Sequence, residues 1–403
     1  MKNIQLEKIK GVINKSYSKH VNEQNIGPFG DAEISDVLNF QKTHEAYTNT
    51  PLVSLDKLAK YLNVKSIHVK DESHRFGLNA FKVMGGIYAV GKYLAKQLNT
   101  DINALSFEEL KSDEVRAAIG EVTFISATDG NHGRGIAWAA RELNQQSIIY
   151  LPKGSTEARL KAIRDEGAYA EIKDMNYDET VRLCAKLARE KGYVMVQDTA
   201  WDGYEKIPLW IMQGYAAIAK EITDEQKEVP THLILQAGVG SFAAGIAAYY
   251  LKRYKEDAPK IILVEPDLAD CYYQSLNSEA QAIIPVTGDL NSMMAGLCCG
   301  EPNVEAYRIL KQYAYASFSC DDSISGLGMR VLGNPLNGDK KVISGESGAV
   351  PLGFLYYLCK YGKEAELTAL GINDDAKVLV ISTEGDTDKQ GYLDVVWHGE
   401  YSI

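Results

Sequence analysis

The sequence predicts an α/β protein of two parallel-sheet domains, the smaller inserted in the larger. Three observations carry this reading. From residue 120 onward, short β-prone runs alternate with amphipathic helical stretches, the pattern of parallel strands joined by crossover helices. A second set of alternations follows the first and is completed by runs near residues 66 and 377. The 403 residues also exceed what one ordinary core holds. The larger domain is expected in residues 1–85 and 205–403, the smaller in 86–204.

In chain order, "SIHVKDE" reads as a strand, and a helix follows "FGLNAFK" with Gly85 and Gly86 allowing close packing. The inserted unit supplies the strands "VTFIS", "SIIYLP", "AYAEIK" and "YVMVQD". Between them lie "GRGIAWAARELN", "STEARLKAIRDEG" and "NYDETVRLCAKLAREKG", each with apolar residues three and four apart and a glycine or asparagine near its end. Ser155 or Thr156 caps the second of these helices, with acidic Glu157 in its first turn. The outer unit resumes with "THLILQAG", the small-residue helix "SFAAGIAAYYLKRY", the strand "KIILVEP" and, near the end of the sequence, "KVLVIS".

Composition narrows the function. Apolar residues make up 45% and charged residues 24%, so an ordinary packed core is within reach. A net charge of -11 opposes attraction to nucleic-acid phosphates or anionic lipid, and neither is expected as a partner. "MKNIQLEKIKGVINKSYSKH" lacks the apolar centre of a signal peptide, and no run is long enough to span a bilayer, so a cytoplasmic location is expected. The six cysteines are scattered without a C-x-x-C pair and read as buried thiols; no metal site is expected.

Two stretches point to chemistry. "THLILQAGVGSFAAG" runs from a strand through Gly238 and Gly240 into a helix, a turn that can aim backbone N–H groups at a phosphate. Its glycine spacing departs from the dinucleotide fingerprint, because Gly245 rather than a glycine three residues on follows Gly240, and Glu265 alone is a weak ribose ligand. "AFKVMGGIYAV" sets Lys82 in an apolar stretch, where an ammonium is costly unless it is paired, neutralised or condensed as an imine; the alternative is that it snorkels to the surface.

Taken in order, "TPL" at 50–52, "KDES" at 70–73, Phe81-Lys82, "GNHG" at 130–133, the glycine loop and "SGESGA" at 344–349 resemble the fold-type II pyridoxal-phosphate enzymes, the tryptophan synthase β-like group. The resemblance spans roughly residues 48–390. Within that group "TDGNHGRGIAWAA", "VQDTAWDGY", "QAGVGSFAAG", "MAGLCCGEPN" and "VISTEGDTD" are similar to the diaminopropionate ammonia-lyases, whose "GVGSF" loop stands where the wider group has consecutive glycines. This implies pyridoxal 5'-phosphate as cofactor, a small amino acid as substrate and a homodimer. The implied activity is elimination from D- and L-2,3-diaminopropionate to pyruvate and two ammonia.

The same resemblance implies the site. Lys82 carries the cofactor and is the base for one face of the substrate, and Phe81 packs beside the ring. Asn131 meets the ring oxygen, while Gly238, Val239, Gly240 and Ser241 cradle the phosphate. Ser382 or Thr383 faces the pyridine nitrogen, and Glu346 positions the ring or its lysine. A neutral hydroxyl at that nitrogen does not favour a protonated ring, which suits β-elimination. Asp129, just before the "GN" turn, is the base for the other face or a contact for the β-ammonium; the plain alternative is a helix cap. Asp198, at a strand end, is a second acid toward the substrate amine. His132 reads as a structural hydrogen-bonding residue, and Tyr177 and Trp201 as packing. The rival readings are a threonine or serine dehydratase of the same fold, which has no need of paired acids, and a non-catalytic cofactor-binding protein.

Overall fold

The structure is a computed structural model that describes residues 3–128 and 130–403. Twelve strands are described: β1 (Asn3–Gln5), β2 (Ile9–Ile13), β3 (Leu52–Ser54), β4 (Ser66–Asp71), β5 (Thr123–Ala127), β6 (Gln146–Leu151), β7 (Tyr169–Ile172), β8 (Val194–Met195), β9 (His232–Gln236), β10 (Lys260–Pro266), β11 (Ala314–Cys320) and β12 (Lys377–Ser382). They form an eight-stranded sheet in the order β1-β2-β11-β10-β9-β12-β4-β3 and a four-stranded sheet in the order β7-β6-β5-β8.

The smaller sheet is parallel throughout, as the alternation predicts. The larger is mixed, which corrects the expectation of two parallel sheets. Its centre, β11 to β4, is parallel, but β2 runs antiparallel to β11, β1 to β2 and β3 to β4. The added strands are short and sit toward the edges, where an antiparallel partner needs no crossover helix and leaves no long alternation in the sequence.

Period-2 alternation places each central strand between two cores. In β9, Leu233 and Leu235 enter the cluster that lies between the sheets, and Ile234 enters the one on the opposite face. The first cluster is continuous from Phe124 and Ile149 of the smaller sheet, through Ile87, Ile136, Ile211 and Ile246 on helices, to Leu379 of the larger. Each such side chain contributes about 1.5–3 kcal/mol when fully buried. The helices Val83–Gln97 and Lys206–Glu225 meet closely in this layer: a Cβ at Gly214 would lie 2.4 Å from the Met84 carbonyl oxygen, so any larger residue would force them apart. Among the described residues no helix is long and apolar enough to cross a membrane.

Candidate active site

Five chain segments leave strand C-terminal ends and converge between the sheets, the position where open α/β sheets bind ligands. The first follows β4 and carries Lys82. It is tied to the end of β12, since the Phe81 N–H donates to the Thr383 carbonyl at 3.0 Å and Ala80 bridges Glu384. Lys82 immediately precedes the helix Val83–Gln97, and its side chain is 14% exposed. The Nζ donates to Asp198 Oδ2 at 2.6 Å. Lys82 therefore points into the protein, and the snorkelling alternative fails.

Asp198 follows β8 and is buried. Burial alone would raise its carboxyl, but the Lys82 ammonium and then His132 outweigh it and hold the group at about 2. His132 Nδ1 is 3.9 Å from Asp198 Oδ2, and its Nε2 lies 3.0 Å from the Val196 carbonyl, in keeping with a structural histidine. Tyr177 departs from the packing role: its hydroxyl accepts from Gln197 Nε2 at 2.8 Å and lies 3.5 Å from Asp198 Oδ1. Trp201 does pack, stacked on Tyr204 with centroids 4.4 Å apart.

The cavity around Lys82 is walled by Phe81, whose ring meets Tyr215 and Phe242 at centroid distances of 4.7 Å each. Gly238, Val239, Gly240 and Ser241 line its floor. Gly240 has φ +91°, and a Cβ there would lie 2.0 Å from the Tyr272 hydroxyl, so only glycine fits. Among the described residues no side chain caps the helix Ser241–Tyr254, so its first-turn N–H groups remain for a ligand. The Ser241 hydroxyl donates to the Asp198 carbonyl and accepts from Asn303 Nδ2 at 2.7 Å, fixing the loop against the base of the acid.

From the other side come Asn131, first residue of the helix Asn131–Glu142, and Thr383. The Asn131 amide donates to Glu384 Oε2, whose Oε1 accepts the Ser347 N–H at 3.0 Å. Thr383 Oγ1 accepts from Gln236 Nε2 at 2.9 Å at the cavity wall, whereas the Ser382 hydroxyl donates to Ser344 at 2.8 Å. Glu384 and Ser347 escape sequence reasoning although both sit inside quoted stretches; an acid directly after the Ser-Thr pair was the available signal. Asp129 lies outside the described residues.

Glu346 faces elsewhere. It lines an adjoining chamber of about 300 Å³ that shares Tyr177 and Cys299 with the cavity of Lys82. Burial, and then the neighbouring Glu384, push its carboxyl up to about 7.

Pyridoxal phosphate fits the cavity of Lys82. The amine can bond an aldehyde, the aromatic wall suits a flat ring, and the uncapped helix start behind a Cβ-free turn suits a phosphate. Two buried polar atoms at its wall, Ser347 Oγ and Gln236 Oε1, have no hydrogen-bond partner among the described residues. Buried polar groups ordinarily have one, so these are open to a ligand.

Comparison with known proteins agrees. Residues 43–382 match the family described as pyridoxal-phosphate dependent enzyme. The diaminopropionate ammonia-lyase of Escherichia coli strain K12 is 48% identical over 391 residues, 96% of each chain. The crystal structure of the E. coli lyase in its selenomethionine-labelled holo form superposes with a TM-score of 0.91 at 46% identity over 98% of each chain. Its complex with D-serine gives 0.90 at the same identity and coverage. With sequence, fold and cavity all in agreement, the chain belongs to the diaminopropionate ammonia-lyase family of pyridoxal-phosphate dependent enzymes.

Proposed function

We propose that the protein catalyses α,β-elimination from 2,3-diaminopropionate, in both D and L forms, to pyruvate and two ammonia. The observation that carries this is the Lys82–Asp198 pair at 2.6 Å inside a glycine-floored cavity, in a chain of that family. When bound, pyridoxal phosphate supplies the electron sink that acidifies the α-proton and lets the β-amine leave.

The chain's own groups do the rest. The Lys82 amine takes the α-proton from one face, and the resulting ammonium is held by Asp198, which stays ionised at any working pH. Before that step the same carboxylate attracts the substrate's β-ammonium, a charge that serine and threonine lack. Asp129 serves as base on the opposite face. Asn131 holds the ring oxygen, Phe81 packs on the ring, and Gly238 to Ser241 hold the phosphate. Of the two candidate hydroxyls, Thr383 at the cavity wall meets the ring nitrogen, and Ser382 braces Ser344. Glu346 acts from the neighbouring chamber. The inserted domain of residues 86–204 brings Asn131 and Asp198 to a lysine carried by the rest of the chain, and the working unit is a cytoplasmic homodimer.

The test is pyruvate formation from separate L- and D-2,3-diaminopropionate by the parent and Asp129→Asn. Loss confined to the D-isomer supports the two-base scheme. Equal loss on both isomers reassigns Asp129 to the β-ammonium, and no pyruvate from either isomer with the parent overturns the activity.

A further inference from the structure

The chamber beside the cavity of Lys82 is more than 2,3-diaminopropionate needs. That substrate's side chain is one carbon and one nitrogen, yet the chamber beyond Tyr177 and Cys299 adds about 300 Å³. Its charge is one-sided. Glu346, Asp388, Asp394 and Glu400 face it from the last part of the chain and Asp289 from an earlier loop, against Lys153 from the loop after β6 and Arg159 from the first turn of the helix Glu157–Asp165. Lys153 is drawn away to Asp174 at 3.1 Å.

Glu346 is 7% exposed, and Glu384 and Asp388 both act on it electrostatically. Burial and these like charges push its carboxyl up to about 7, with Arg159 opposing. A cation placed in the chamber would relieve that repulsion and ionise the group. An anion would meet five carboxylates for one undiverted cation.

We propose that this chamber accepts a positively charged substituent on the β-nitrogen of the substrate, so that the protein also releases primary amines from 2,3-diaminopropionates whose β-nitrogen bears a short chain ending in an ammonium. The inference rests on the elimination activity proposed above. The chemistry balances without an oxidant or reductant. The α-proton is lost, and the Cβ–N bond breaks with its electron pair leaving on the already protonated nitrogen, which departs as the neutral amine. Water then displaces ammonia from the remaining three-carbon unit. The sum is substituted diaminopropionate plus water giving pyruvate, ammonia and the primary amine.

The experiment follows pyruvate formation by the holoenzyme from 2,3-diaminopropionate, its β-N-ethyl derivative and its β-N-(2-aminoethyl) derivative. The aminoethyl compound is expected to exceed the ethyl compound in kcat/KM by about tenfold or more, the scale of one well-placed charge contact. Asp388→Asn combined with Asp394→Asn should remove about that factor for the aminoethyl compound, with less than about a twofold change for diaminopropionate. Asp388 caps the helix Lys389–Val396 through the Gly391 N–H, and asparagine caps equally well, so the fold is preserved. Equal kcat/KM for the two derivatives overturns the proposal, as does turnover of diaminopropionate alone or an equal loss on all three substrates in the double variant. No turnover of diaminopropionate itself would instead overturn the activity on which the proposal rests.

Discussion

Lys70 and Lys82 stand on the same stretch of chain, each with its ammonium against a carboxylate, and they show how a structural charge differs from a functional one. The Lys70 Nζ is 2.8 Å from Glu221 Oε2 and donates to the Thr50 carbonyl at 2.7 Å. Glu221 also receives both Nη atoms of Arg75, at 2.7 and 2.9 Å, and Arg75 grips Glu72 through Nε and Nη2 at 2.8 Å each. Thr50 Oγ1 donates to Glu72 at 2.6 Å. The cluster has no exposure to speak of and its hydrogen bonds close on one another, as a buried network must if it is to hold. It pins the turn Glu72–Gly77, on the way to Lys82, to the helix Lys206–Glu225. Around Lys82 the opposite holds: the ion pair opens on a cavity, and Ser347 Oγ and Gln236 Oε1 at its wall await a partner. Here a closed polar network marks a strut, and a paired lysine beside open polar atoms on a cavity wall marks a binding site.

Replacing each lysine would break the comparison most sharply. Lys82→Ala is expected to cut pyruvate formation by about 10³-fold or more and to remove the absorption band of the lysine-bound cofactor. Lys70→Met should do the reverse. It strips one cation from Glu221 and costs about 3–5 kcal/mol in denaturant unfolding, while activity per folded molecule survives. Loss of activity in a stably folded Lys70→Met protein would erase the distinction.

The pH dependence of stability sharpens it further. The Asp198 carboxyl is held below its usual value by Lys82, so its contribution in the apoprotein is present above about 3.8 and lost as pH falls through about 2. Glu346 has the opposite sign: raised from 4.5 to about 7, it favours the folded state less as pH rises across that window. Urea midpoints of Asp198→Asn and Glu346→Gln should therefore lose opposite slopes, the first at acid pH and the second between mildly acid and neutral pH. Smallest of all, Ser347→Ala should weaken cofactor affinity by about three- to tenfold, the value of one ordinary hydrogen bond, without destabilising the apoprotein. A destabilised apoprotein would mean that this hydroxyl is a strut after all.

The sequence by itself determined the alternation of strands and helices in the inserted unit, a lysine in an apolar run after Phe81, and the glycine turn between β9 and its helix. Each is a local constraint: a period of side chains, a charge in an apolar run, or a conformation and a close approach that only glycine tolerates at Gly240. Thr156 rather than Ser155 proved to be the helix cap, a choice local spacing left open. Tertiary structure alone decided what depends on partners far along the chain. The strands β1 and β2 lie outside the alternation of strands and helices and are set by pairing, β2 with the distant β11 and β1 with β2. Arg75 finds Glu221 across 146 residues, which makes a charged "KDES" stretch a core element instead of a solvated one. Register placed Thr383 at the cavity wall and turned Ser382 toward Ser344, because neighbouring residues at a strand end point to opposite sides. Glu346 and Glu384 illustrate the same limit: the sequence offers two acids near two recognised stretches, and only the packing of helix against sheet sends one to the cofactor cavity and the other to the chamber beside it.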